Sequence, residues 1–347
     1  MLVVVCDLVF KIKVAYKNEF EVQRNCWTHS NGLRMRKISL RIWKTNSTFT
    51  ETFVRMKYLI GFVLALSIFP ATAQDSISMH YKIYDTRTKQ IITIDKIVAD
   101  MADADVLFFG EEHNDSAGHY LENRIFRALH AAYGGNLALS MEMFEADGQL
   151  GLNEYLAGKI DEARFSKDVR LWSNYKDYRP MIEYSKQNQI PVIAANPPRR
   201  YVSMVSRRGM ASLDSLSKEA KAFLPPLPYD TLTGRYREKF IEIMKAGPGG
   251  DNPRVYHSQS LWDAGMSYNI YKFLKKNKHT KIFHCVGGFH TEEKLGTAAQ
   301  LLMRNKKLKI LNIASFSDKS FTNPDWEKES YRGDYIILIN PDLKKTY

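Results

Sequence analysis

Cysteine is scarce in this 347-residue chain, which holds only Cys6, Cys26 and Cys285. Of these, Cys285 alone lies beyond residue 73. A product that starts there has no internal disulfide framework and depends on a packed apolar core. Long apolar runs are scarce as well. The stretch "MKYLIGFVLALSIFPATAQ", residues 56–74, has about a dozen apolar residues behind Lys57, too few for a membrane span. Pro70 and then Ala71-Thr72-Ala73 follow, so the pattern predicts a secretory signal, Met56–Ala73, cleaved after Ala73. No cysteine follows its small residues, which leaves no acylation site in the usual place. Basic stripes with interleaved aromatics are missing, and with them any warrant for nucleic-acid binding. No internal repeat or low-complexity segment stands out.

The formal charge of +12 is largely a property of the first residues. Residues 1–55 carry ten Lys/Arg against four Asp/Glu, and Lys57 adds one more. Removing that surplus of seven leaves +5 for residues 74–347, a mild balance. Residues 1–55 show no sustained period, and translation is expected to start at Met56, with 1–55 a mis-assigned extension. Peptides containing Lys11 or Arg24 in the native protein would contradict this. Residues 74–347 then form a single domain, soluble in the periplasm or secreted.

Short apolar runs recur along that domain: "DVLFFG" (105–110), "NLALSMEMF" (136–144), "IPVIAANP" (190–197), "KIFHCVGGFH" (281–290), "LKILNIASF" (308–316) and "DYIILIN" (334–340). Runs of this length without polar alternation predict strands buried on both faces. "YKIYDTRTKQIITID" (81–95) reads as two short strands around a polar turn. Helical patterns fall between, over 116–133 with a cap at Asp115 or Ser116, 175–188, 253–278 and 291–305. The predicted class is α/β: a mostly parallel central sheet, helices on both faces, and a helical insert around 146–275.

Ligands of such sheets sit beyond the carboxyl ends of the strands. There the sequence puts Glu111, Glu112 and His113 after one strand, Glu142 in another, Arg199 and Arg200 after a third, and His290 after a fourth. Gly110-x-x-His113 and Gly287-x-x-His290 repeat one motif at two strand ends, each with a glycine that lets the backbone turn. Two histidines and one or two glutamates could hold a divalent metal, and a His beside a Glu could do acid–base work. Strand-end turns with merely hydrogen-bonded histidines would look the same. His119 follows on the first helix, as a further candidate or a half-exposed helix residue. Arg199 could clamp an anion, or form a solvated pair with Arg200. Trp172, Tyr175 and Tyr178 recur every three residues, as a core stripe or as a flat wall for a planar ligand. A tyrosine oxygen there could ligate haem iron.

Taken together, "LFFGEEHNDSAGH", "LSMEMFE", the Trp/Tyr stretch up to "YRPMIEY", "PVIAANPPRR" and "VGGFH" resemble the ChaN-type haem-binding proteins of the TIKI/erythromycin-esterase-like superfamily, over roughly residues 100–316. The resemblance implies an exported protein in haem or iron acquisition or storage, with haem held in a homodimer and served by an outer-membrane haem receptor or transport system. It implies iron ligated by a tyrosine, here Tyr178 or second Tyr175, with His113, His290 and Arg199 as further haem-binding candidates. The metal-dependent relatives imply the alternative, a hydrolase. Its metal ligands would be His113, Glu142 and His290, and its catalytic set would add Glu111 and Glu112. Many ChaN-type proteins are lipoproteins; the missing acylation cysteine departs from that pattern.

Overall fold

The computed structural model describes residues 12–14, 20–22, 76–245 and 252–347. The chain divides between Gln74 and Asp75 into two units. In the first, strands β1 (Ile12–Val14) and β2 (Phe20–Val22) pair antiparallel. The expected signal segment, Met56–Ala73, lies outside the described residues. Among the described residues no helix is long and apolar enough to cross a membrane.

The second unit is built on an eight-stranded sheet. Its strands are β3 (Tyr81–Asp85), β4 (Gln90–Ile91), β5 (Val106–Glu111), β6 (Leu137–Glu145), β7 (Val192–Asn196), β8 (Lys281–Gly287), β9 (Ile310–Ser317) and β10 (Tyr335–Ile339). They lie in the order β4-β3-β10-β9-β5-β8-β6-β7. From β10 to β7 all neighbours are parallel, while β3 runs antiparallel to both β10 and β4. The α/β class with a mostly parallel sheet is therefore as the sequence predicts.

The apolar runs are continuous because both faces are covered. Leu107, Phe109, Leu139 and Phe283 point to a layer that contains α2 (Ser116–Tyr133) and α5 (Tyr175–Asn188). Val106, Phe108, Ala138 and Ile282 point to a layer that contains α8 (Pro253–Lys276) and α9 (Gly296–Arg304). The remaining helices are α1 (Ile94–Asp100), α3 (Gln149–Leu156), α4 (Glu162–Asp168), α6 (Arg199–Arg208) and α7 (Arg235–Met244), besides single turns. Burial of one such aromatic or aliphatic side chain contributes about 1.5–3 kcal/mol. Phe126 on α2 stacks on Phe283 of β8 and ties helix to sheet.

Local rules set the helix ends. Asp115 caps α2 by accepting the Gly118 amide at 2.9 Å. Gln189 takes a left-handed conformation to end α5, and the Ile190 amide bonds back to the Ser185 carbonyl. The helix read over 291–305 starts only at Gly296, because Glu293 and Lys294 both have positive φ. The stretch 146–275 is less an insert than its helix content suggests. β7 joins the sheet, and α8 packs on it. What lies outside the sheet layers is centred on 199–245, where Tyr201, Val202, Leu213 and Tyr229 pack on Leu261 and Ala264 of α8.

Candidate functional site

The chain leaves β5 through α2 and crosses to β6, and β8 later fills the place between them. The carboxyl ends of β5, β8 and β6 are thus adjacent at a point where the winding reverses, the place where open α/β sheets bind ligands. Glu111 ends β5, Gly287 ends β8, and His290 closes the single turn that follows. Glu142 sits where the β6–β7 register shifts between Met141 and Glu145. A bulge of this kind re-aims a side chain, and the Glu142 carboxylate accepts the Gly287 amide at 2.8 Å.

Two imidazoles converge on Glu142, each held by its own carboxylate. His113 donates from Nδ1 to Glu111 at 2.6 Å, and His290 donates from Nδ1 to Asp263 of α8 at 2.8 Å. His290 Nε2 lies 3.8 Å from Glu142 Oε1. Asp263 is anchored in turn by the Tyr236 hydroxyl and by Thr297 at 2.8 Å. Burial opposes the charged form of His290, but the carboxylates of Asp263 and Glu142 outweigh it and lift its pKa to about 9. For His113 burial is likewise outweighed, here by Glu111 and Glu142, so its pKa is raised.

The two motif glycines serve contact rather than turning. Gly287 has an ordinary φ of −57°. A Cβ on it would meet His113 Nε2 at 2.8 Å, so the imidazole lies directly on its backbone. A Cβ on Gly110 would meet the Thr291 side chain at 2.7 Å and Gly288 at 3.1 Å. The expectation that these glycines permit a sharp turn is corrected accordingly.

Behind His113 lies a second, sealed group. His119 is 5% exposed and Glu122 fully buried, both on the core-facing side of α2. His119 Nδ1 is 3.3 Å from Glu111 Oε2 and 3.2 Å from Glu122 Oε2, while its Nε2 donates to the His113 carbonyl at 3.1 Å. Tyr178 donates its hydroxyl to Glu111 Oε1 at 2.6 Å, and the Asn174 amide donates to the His113 carbonyl at 3.0 Å. Desolvation works against every charge here. Hydrogen bonds from His113 and His119 still hold Glu111 well below the usual carboxylate range. Burial and the charge of Glu111 push Glu122 well above it. For His119, the two glutamates outweigh burial and lift the pKa to about 11.

At the mouth is an open cleft of about 350 Å³, lined by Glu142, Trp172, Asn196, Arg199 and Trp262 among others. His113 borders it, its ring edge-on to Trp172 at 5.2 Å. The buried Asn196 Oδ1 has no partner among the described residues.

His113, Glu142, His290 and Arg199 thus meet at one end of the sheet. The expected metal set of His113, Glu142 and His290 converges without closing to coordinating distance. Among the described residues, ligand atoms do gather within 4.8 Å of one another at Glu111, His119 and Glu122. Glu112 turns away from the mouth, accepting from Ser317 at 2.7 Å and Lys345 at 2.9 Å. Arg200 is engaged by Asp147. Trp172 precedes α5 instead of sharing its face with Tyr175 and Tyr178. Tyr178 is fully buried, and burial with the charge of Glu111 pushes its hydroxyl far above its ordinary pKa. Tyr175 packs between Phe144 and Phe165, so neither tyrosine lines the cleft. Sequence reasoning missed Glu122 and Asp263. The one available signal for Glu122 was a carboxylate on the apolar stripe Leu121, Ile125, Phe126, Leu129.

Among known proteins, residues 97–301 match the family described as haem-binding uptake, Tiki superfamily, ChaN. A solved structure of ChaN from Campylobacter jejuni, described as showing cofacial haem binding, shares 17% identity. The match covers 75% of this chain and 97% of that one, at a TM-score of 0.56, a likeness of fold. An erythromycin esterase variant in its open conformation shares 11% identity over 68% of this chain and 77% of that one, at a TM-score of 0.40. Among curated proteins, RETICULATA-RELATED 5, chloroplastic, from Arabidopsis thaliana is 27% identical over 100 residues. That match covers 28% of this chain and 13% of the relative, so the chain spans about an eighth of that protein's length.

Proposed function

Since this chain belongs to the ChaN family of haem-binding uptake proteins in the Tiki superfamily, we propose that it binds haem in the cleft at the carboxyl ends of β6 and β7. The observation that carries this reading is the chemistry of that cleft. Two tryptophans line it together with Arg199, whose guanidinium has no carboxylate partner among the described residues. Indole faces suit a planar macrocycle, and a guanidinium suits a propionate through paired hydrogen bonds. Trp172, Trp262 and Arg199 would hold the group, with His113 beside them, while His290 lies deeper and orients toward Glu142. Bound haem would supply an iron centre for storage or transfer. The cleft is open and shallow, so a second copy of the chain would cover the other face of the macrocycle. That supports the homodimer expected from the family resemblance, as the signal pattern at Met56–Ala73 supports export.

Tyrosinate is the iron ligand the resemblance implies. In the structure the Tyr178 oxygen serves Glu111, and Tyr175 sits among phenylalanines, so ligation by either requires α5 or the segment before it to shift. Haemin titrated into the purified protein tests the reading. A saturable Soret shift at about one haem per chain is expected. Absence of saturable binding would overturn it. Tyr178→Phe and Tyr175→Phe separate the ligands: loss of the tyrosinate charge-transfer band in one of them names the residue. The band persisting in both removes these tyrosines from the iron.

The metal-dependent hydrolase remains a second reading on one observation. His113 and His290 are each oriented by a carboxylate, the arrangement that tunes metal-ligating imidazoles.

A further inference from the structure

We propose that Glu111, His119 and Glu122 form a buried site for one small divalent transition-metal ion, separate from the cleft that takes haem. Three independent features converge on it. The first is spacing. A first-row ion with ligands at about 2.0–2.2 Å has ligand-to-ligand edges of roughly 3.0–3.5 Å. His119 Nδ1 stands 3.3 Å from Glu111 Oε2 and 3.2 Å from Glu122 Oε2.

The second feature is orientation. His119 Nε2 donates to the His113 carbonyl, which orients the ring and turns Nδ1 toward the two carboxylates. The Glu111 carboxylate is fixed in the same way, since its Oε1 accepts from Tyr178 and His113 and its Oε2 is left facing His119. Outer hydrogen bonds of this type accompany metal ligands and set their direction.

The third feature is unmet demand. Glu111 Oε2 and Glu122 Oε1 are both buried without a well-formed hydrogen bond, Glu111 Oε2 having only the 3.3 Å contact to His119 Nδ1, in residues that are themselves 4% and 0% exposed. Buried polar oxygens are almost always satisfied, and an unsatisfied pair beside an aimed imidazole is what an ion would fill.

Charge and ligand type narrow the ion. Two carboxylates and a neutral imidazole carry two negative charges, which a divalent ion cancels exactly in sum. One nitrogen and two oxygen donors suit manganese, iron, cobalt or zinc, and neither copper(I) nor calcium. The Cys285 thiol lies beside Glu122 but outside the set of ligand atoms that gather within 4.8 Å of one another, so it is not counted as a ligand.

Cobalt(II) titrated into the chelator-stripped full chain, without haem, tests the site through its visible d–d absorption. Saturation at one cobalt per chain is expected, with affinity reduced at least tenfold in Glu122→Gln, a variant close in shape whose melting curve checks the fold. X-ray absorption of the wild-type complex gives a reading that no variant can spoil: one imidazole and otherwise oxygen donors are expected. No saturable cobalt absorption would overturn the proposal. So would a spectrum unchanged in folded Glu122→Gln, or scattering from two imidazoles, which would assign the ion to His113 and His290. None of these outcomes depends on whether the cleft binds haem.

Discussion

Two imidazole–carboxylate groups stand one behind the other at the carboxyl ends of the strands, built from the same residue types and differing in cover. At the mouth, the His113 side chain is 34% exposed and faces Glu142 across Gly287. Behind it, His119 is sealed by Tyr178 and the core of α2. Exposure lets the front group and its tryptophan walls meet a large ligand. Burial denies the rear group anything bigger than an ion or a proton, and it makes every unpaired charge there costly. Glu111 belongs to both, one oxygen to each. The comparison teaches that a GxxH motif specifies less than its letters suggest, because what lies beneath the histidine decides its chemistry.

Removing the shared residue breaks the comparison most severely. Glu111→Ala leaves His113, His119 and Tyr178 without their common acceptor. Loss of one partner from a buried charge group costs about 3–5 kcal/mol, and a lower denaturant midpoint checks it. A midpoint within experimental error of wild type would mean that the two groups are not coupled through Glu111.

Next in size is a pH effect. The His290 pKa of about 9 lies above its ordinary 6.5. The stability it contributes is therefore complete below pH 6.5 and is lost as pH rises through 9. His290 should account for about 1–3 kcal/mol of the stability lost across that window, an order-of-magnitude figure from the shift, and His290→Gln should reduce the slope by that share, leaving the part due to His119 and His113, whose pKa values are raised too. An equally steep decline in the variant would assign the effect elsewhere.

A smaller change sharpens the front group alone. Trp172→Ala should weaken haem roughly tenfold, about 1.4 kcal/mol for one lost aromatic face, and should also lower the melting temperature, since Trp172 packs partly buried against the core. Smallest of all, Glu112→Gln should cost less than about 1 kcal/mol, because its pairing with Lys345 is half exposed. It should not alter haem titration. A clear loss of haem binding would return Glu112 to the mouth.

Much of this arrangement is legible in the residues themselves. Unbroken apolar runs mark the six parallel strands, since burial on both faces removes alternation. The helices over 116–133 and 175–188 lie where their patterns predict, the first behind its Asp115 cap. Strand ends mark His113, His290 and Glu142 as candidates, while the β5-β8-β6 order and the register shift that bring them together are visible only in the fold. The partners are harder to see. Asp263 lies in the middle of a 24-residue helix and Glu122 on an apolar stripe, and only tertiary packing joins them to the histidines. The tyrosines of the aromatic stretch are misjudged for a similar reason. A three-residue recurrence does not reveal that Trp172 precedes the helix or that Tyr178 turns inward to Glu111.

The central claim is that haem is held by the open cleft and not by the sealed group behind it. The most direct test is haemin titration of wild type beside Arg199→Glu, followed at the Soret band. Charge reversal at an exposed helix start leaves the fold intact but repels a propionate. Saturable binding is expected in the wild type and at least tenfold weaker binding in the variant, with equal melting temperatures. Identical titrations in the two proteins would contradict it.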